Sequence, residues 1–335
     1  MLLKNPLYLS PGGVRIVSGQ PFDIPVMKKL KMIAGVVMIA MFGTIAKMSG
    51  ASETALPDGA IRDSFRHRGM DREYILYLPA SLRDKAPLVL VLHGYGGRAM
   101  QSGAGMNRIA DREGFAVCYP QGAVDGRGKT CWNVGYPFQE GLKTDDVDFL
   151  LKLSAKLCRE NGFDRRNVFL TGMSNGGEMC YLMAYTHPDF FNAIAPIAGL
   201  TMEWMRKELK ARGPVPIMEV HGTQDHTSEW EGDPDNAGGW GAYISVPLAI
   251  GRWADEARCT HVESTELVQE PAVVQSDRKP NKVILHRYLG GVPAYDGGPE
   301  IEVRLYEVQD GGHSWSDRDM DTYQEIWNFF SKYLR

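Results

Sequence analysis

Val168-Phe169-Leu170-Thr171-Gly172-Met173-Ser174-Asn175-Gly176-Gly177-Glu178-Met179-Cys180-Tyr181 reads as a short apolar strand, a glycine-rich turn and the opening of a helix. A bare G-x-S-x-G arises readily by chance, so the strand before it and the helix after it carry the weight. In such a turn the small residues two before and two after the serine relieve crowding at a strained backbone, and the hydroxyl of Ser174 stands exposed at the apex. The reading makes Ser174 a candidate nucleophile and the surrounding fold an alternation of strands and helices.

Outward from this turn the same alternation continues. Residues 74–78, 88–92, 115–119, 193–198, 215–220 and 301–308 are short apolar runs, and 144–160 and 323–334 carry apolar residues at helical spacing. Strands apolar on both faces belong in a parallel sheet covered by helices on both sides, which predicts an α/β class. Nothing between 60 and 335 reads as a linker, so one domain is expected there, with 223–243 as an inserted loop over the site.

The chain has 335 residues, 44% hydrophobic and 23% charged, with a formal net charge of −4. No basic stripe stands out, which argues against a nucleic-acid partner. Lys28, Lys29 and Lys31 precede an apolar run over 32–46 and the small residues Ser49, Gly50 and Ala51. That pattern predicts a signal peptide over 27–51 with cleavage near Ala51, starting at Met27 and leaving 1–26 as an over-extended N-terminus. The run is short for a bilayer span, so no stable membrane insertion is expected after cleavage and the mature chain is read as secreted or periplasmic. Export permits disulfides. Cys118, Cys158 and Cys180 read as small buried apolar residues, whereas Cys131 and Cys259 lie in loop-like contexts and are the candidates for one bridge.

A serine hydroxyl needs a base and the base an orienting acid. His313 follows the last strand in Gln309-Asp310-Gly311-Gly312-His313, and Asp225 follows the strand ending at His221-Gly222. Both therefore leave strands at their C-terminal ends, where functional groups of open α/β sheets gather. Backbone N–H groups of Asn175 and of Tyr95, in His93-Gly94-Tyr95-Gly96-Gly97, are the candidate oxyanion donors. His93, Trp230, Trp240, Tyr243 and Trp315 are candidates for substrate contact, the aromatic ones as walls for a ring or a sugar face, with at least one expected to pack its loop instead. No cofactor is implied, and the spacing of His221, Asp225 and His226 matches no zinc motif.

In order along the chain, His93-Gly94-Tyr95-Gly96-Gly97, Cys131-Trp132-Asn133, Asp145-Asp146-Val147, Gly172-Met173-Ser174-Asn175-Gly176-Gly177, His221-Gly222-Thr223-x-Asp225 and Gly311-Gly312-His313-x-Trp315 resemble the esterase/poly(3-hydroxybutyrate) depolymerase family, which includes feruloyl and acetylxylan esterases. The resemblance covers roughly residues 60–335. It implies an α/β-hydrolase fold and a Ser174–His313–Asp225 triad, and the aromatic residues Trp230, Trp240, Tyr243 and Trp315 then favour a secreted feruloyl or acetylxylan esterase acting on acylated plant cell-wall polysaccharide or oligosaccharide. Two departures fall where acyl or alcohol groups would bind: His226-Thr227-Ser228-Glu229-Trp230 and the longer loop after it replace a Val-Pro-Tyr segment, and Ser316 replaces a proline. A polyhydroxybutyrate oligomer hydrolase, a non-catalytic carbohydrate-binding protein and a metal-dependent deacetylase are the alternative readings.

Overall fold

The computed structural model describes residues 55–335 apart from 102, 275 and 276. The expected leader over 27–51 and the segment before it lie outside the described residues. The strands are β1 (Ala60–His67), β2 (Met70–Tyr77), β3 (Leu88–Leu92), β4 (Ala116–Pro120), the short pair β5 (Ala123–Val124) and β6 (Thr130–Cys131), β7 (Val168–Met173), β8 (Ile194–Ile197), β9 (Ile217–Gly222), β10 (His261–Glu266), β11 (Val283–Leu289) and β12 (Val303–Val308). The helices are α1 (Gly105–Glu113), α2 (Asp146–Asn161), α3 (Asn175–Thr186), α4 (Glu203–Glu208), α5 (Val246–Glu256) and α6 (Thr322–Phe330). Ten strands form one sheet in the order β1-β2-β4-β3-β7-β8-β9-β12-β11-β10. The middle, from β4 to β12, is parallel, and antiparallel hairpins close both ends.

The strand Leu88-Val89-Leu90-Val91-Leu92 shows why the middle is parallel. Leu88, Leu90 and Leu92 enter a core shared with Phe149, Leu153 and Leu157 of α2 and Met179 and Met183 of α3. Val89 and Val91 enter the opposite core, with Ile109 of α1 and Ile326 and Phe330 of α6. Period-two side chains that are apolar on both faces can be buried only between two helical layers. The edge strands carry no such signal: every residue of β10, His-Val-Glu-Ser-Thr-Glu, is exposed. Charged, polar edges discourage pairing with another sheet, and they also hide from a search for apolar runs.

Asp145 and Asp146 divide their work in a way that spacing alone did not reveal. The Asp145 carboxylate accepts the Asp148 N–H at 2.9 Å and caps α2. Asp146 instead pairs with buried Arg72 at 2.7 Å and accepts the Asn133 N–H at 2.8 Å, so it holds the loop after β6. The expected Cys131–Cys259 bridge is corrected: all five cysteines are free thiols. Cys131 is buried beside Gln139, whose amide donates to Sγ at 3.3 Å, while Cys259 lies by the carbonyls of Tyr288 and Ile301.

Candidate active site

Ser174 sits between β7 and α3 at φ 55° and ψ −123°, a conformation that L side chains avoid. The glycines around it are required by space. A Cβ on Gly172 would meet the Gly176 carbonyl at 2.7 Å, and one on Gly176 would meet Leu92 O at 2.7 Å. The turn is thus pressed against the end of β3, and the Ser174 side chain is left half-buried at its tip.

Asp225 and His313 come together on the neighbouring strand ends. His313 Nδ1 lies 2.7 Å from Asp225 Oδ2. Asp225 Oδ1 accepts the N–H groups of Thr227 and Ser228, each at 2.8 Å. Burial works against the Asp225 charge, but the His313 bond and the Ser228 N–H outweigh it and hold the carboxyl below its ordinary value. The two loops are laced to each other: Gln224 N–H donates to Gly311 O at 2.8 Å and Asp310 N–H to Thr223 Oγ1 at 2.9 Å. No hydrogen bond joins Ser174 Oγ to His313 among the described residues, and such bonds are often long before substrate arrives.

The loop after β3 is built to hold a shape. His93 Nε2 accepts the Gly122 N–H at 2.9 Å, which leaves Nδ1 to donate to Gly94 O at 2.7 Å. Burial lowers the pKa of His93 and favours this neutral ring. Gly96 N–H donates to Thr130 O at 2.7 Å, and Trp132 Nε1 donates to His93 O at 2.9 Å. The Asn175 side chain accepts the Trp132 N–H at 2.7 Å and returns a bond to Trp132 O at 3.1 Å. The elbow and the loop are therefore fastened through Trp132. Among the described residues, the N–H groups of Tyr95 and Asn175 meet no protein acceptor, as donors kept for a ligand oxygen would require.

The aromatic candidates separate. Trp240 packs edge-on to Tyr95 at 5.5 Å and lines a cavity beside Ser174 with Tyr136, Glu178, Leu200, Thr227 and Ser228. Trp230 is half-buried with its ring against His221. His93, Tyr243 and Trp315 are corrected, because all three are buried. His93 fixes the loop as described. Tyr243 receives the Glu229 N–H on its hydroxyl at 3.1 Å, and Trp315 stacks on Tyr323 at 5.3 Å in the α1–α6 core. Glu178 and Tyr136 line the cavity beside Ser174 and were not singled out from the sequence. A carboxyl inside an otherwise uncharged helix, whose residues Asn175–Tyr185 are all buried, was the available signal. Burial pushes Glu178 up to about 7 although Tyr136 hydrogen-bonds to it. The zinc reading of His221, Asp225 and His226 meets a plain obstacle, since both ring nitrogens of His221 already face protein oxygens.

A mostly parallel sheet, a strained serine after a central strand and an Asp–His pair after two later strands define an α/β-hydrolase fold. The described fold superposes on an acetyl xylan esterase from Aspergillus awamori with a TM-score of 0.55 at 15% identity, over 82% of this chain and 99% of that one. The family model for esterase PHB depolymerase matches residues 72–215. NocK of Nocardia uniformis subsp. tsuyamanensis, provisionally named an esterase, is 33% identical over 74% of this chain and 71% of its own length. A bifunctional acetylxylan esterase/xylanase of Neocallimastix patriciarum is 28% identical over 82% of this chain, which spans 35% of that relative. The chain belongs to the esterase PHB depolymerase family.

Proposed function

We propose that the protein is an exported serine carboxylic-ester hydrolase that removes small acyl groups, acetyl above all, from plant cell-wall polysaccharide such as acetylated xylan. In this reading Ser174 Oγ attacks the ester carbonyl while His313 Nε2 takes its proton. The N–H groups of Tyr95 and Asn175 hold the oxyanion, and Asp225 orients His313 and stabilises the imidazolium. His313 then protonates the departing sugar oxygen, and water activated by the same ring releases the acid from Ser174.

The observation that carries the acyl choice is the small cavity beside Ser174, walled by Tyr136, Leu200 and Trp240. An acetyl methyl suits that space. The names of the N. patriciarum and A. awamori proteins support the same substrate class.

The test is an assay of the protein and its Ser174→Ala variant on p-nitrophenyl acetate and butyrate, methyl ferulate, acetylated xylan and hydroxybutyrate oligomers. Acetyl esters should turn over fastest and the variant should be silent on all of them. Unchanged turnover by the variant sinks the serine mechanism, and a preference for ferulate or for hydroxybutyrate oligomers sinks the acyl assignment.

A further inference from the structure

Behind Asp225 lies a second histidine that the proposed mechanism leaves unused. In β9, Met218 and Val220 point into the α1–α6 core, as a parallel strand requires, but Glu219 and His221 occupy the opposite face. Both are buried, with relative exposures of 0% and 1%. Two ionisable side chains in such a place are expensive unless each polar atom is satisfied.

Their hydrogen bonds determine where the proton is. His221 Nε2 lies 2.7 Å from the Ser228 carbonyl oxygen, which can only accept, so Nε2 carries hydrogen. His221 Nδ1 lies 2.9 Å from Glu219 Oε1. The Glu219 carboxylate has two further donors, the Gly199 N–H at 3.1 Å on Oε1 and the Tyr181 hydroxyl at 2.9 Å on Oε2. Burial pushes the Glu219 carboxyl upward, and these two donors, together with the nearby His221 ring, work against that in favour of the anion. On its other side the ring faces a second carboxylate, Asp225 Oδ2, at 3.7 Å. The remaining titratable neighbours are Glu178, Cys180 and Tyr181 of α3 around Glu219, and His313 and Tyr243 around Asp225. None of them is a cation that would compete with an imidazolium at His221 unless His313 is itself protonated.

We propose that His221 is a resident imidazolium clamped between Glu219 and Asp225, and that it acts as a positioning residue for the acid of the triad. The inference rests on the proposed triad. Asp225 Oδ2 is then flanked by two imidazoles, His313 at 2.7 Å and His221 at 3.7 Å. The His221 cation keeps Asp225 ionised and its Oδ2 aimed when His313 takes the serine proton. The Glu219–His221 pair adds no net charge, and its positive end points at the acid.

Nitrogen NMR on histidine-labelled protein reads the proton directly, with the His221 signals assigned by their loss in His221→Asn. Both ring nitrogens should stay protonated from about pH 5 to about pH 9, beyond the range in which an ordinary histidine titrates. In His221→Asn, kcat should fall roughly 10- to 100-fold through misplacement of the acid, with KM little changed. Loss of the cation leaves the negative charge of Asp225 less offset, so the acid limb of the kcat/KM profile should move up by about 0.5 to 1 pH unit. Glu219→Gln, which lets His221 lose its extra proton, should move the limb the same way. A bare ring nitrogen on His221 in the unaltered protein overturns the inference, and so does an unmoved limb in both folded variants. A serine-directed phosphonate separates the two levels. If it fails to label Ser174, the triad falls and this role with it; labelling with a neutral His221 overturns this inference alone.

Discussion

Replacing Asp225 by asparagine tests the proposed acid through geometry. Oδ1 already accepts two backbone N–H groups, from Thr227 and Ser228, at 2.8 Å each. In Asp225→Asn the amide oxygen must stay on those donors, because the NH2 group cannot face them. The NH2 then turns toward His313, where Oδ2 now lies 2.7 Å from Nδ1. A donor at that point requires Nδ1 to accept, so the ring proton moves to Nε2, the atom that must receive the Ser174 proton. The substitution changes no volume, and it leaves the base in the wrong tautomer. The equivalent tautomer switch in a serine protease lowers kcat by about 10⁴, or roughly 5.5 kcal/mol of transition-state stabilisation, and the same magnitude is expected here. Turnover of p-nitrophenyl acetate at saturating substrate measures it, with a thermal melt to show that the variant is folded. A folded Asp225→Asn protein keeping more than about a tenth of the parental kcat would refute the assignment.

Gly176→Ala places a Cβ 2.7 Å from Leu92 O and 2.8 Å from His93 O; it should destabilise by on the order of 3 kcal/mol and abolish turnover, read by denaturant titration and esterase assay. Glu302 is buried among Arg304, Arg287 and Lys332. Burial opposes its charge, but these cations prevail and hold it at about 2 against an ordinary 4.5. A depressed carboxyl contributes stability that is present above about pH 4.5 and lost as the pH falls toward 2, here up to about 3 kcal/mol. Denaturant midpoints measured between pH 6 and 3 should therefore fall less steeply in Glu302→Gln than in the parent. Thiol titration in denaturant without reductant should count five reactive cysteines per chain, and a count of three would mean that a bridge forms after all.

The central strands were legible because burial on two faces leaves an unbroken apolar run: residues 88–92 read as a strand and form β3 with the same bounds. The edges were not, because β1 and β10 face solvent and carry the polar residues that edges favour. Asp225 and His313 could be picked out from chain order, since each follows a strand at the end where loops converge. Trp315 and Tyr243 could not be placed, because an aromatic side chain near a site in sequence has the same composition whether it faces the ligand or the core. The Glu219–His221 pair was hidden for a related reason. His221 read as the end of a strand with no partner in view, and only the three-dimensional neighbours Gly199, Tyr181 and Ser228 reveal what its ring meets.

Gly222 has a consequence for how this family can drift. A Cβ there would lie 2.2 Å from Gly311 O and 2.4 Å from its carbonyl carbon. The loop presenting Asp225 and the loop presenting His313 thus touch backbone to backbone, with no space for any side chain between them. A larger residue at 222 can be accepted only if the turn at 311 withdraws, which would carry His313 away from Asp225. Among descendants of such a sequence these two positions should covary, although they are far apart in the chain, while the exposed positions of the loop between Glu229 and Trp240 are free to change. Changes there can alter what meets Ser174 while the Asp225–His313 pair stays where it is.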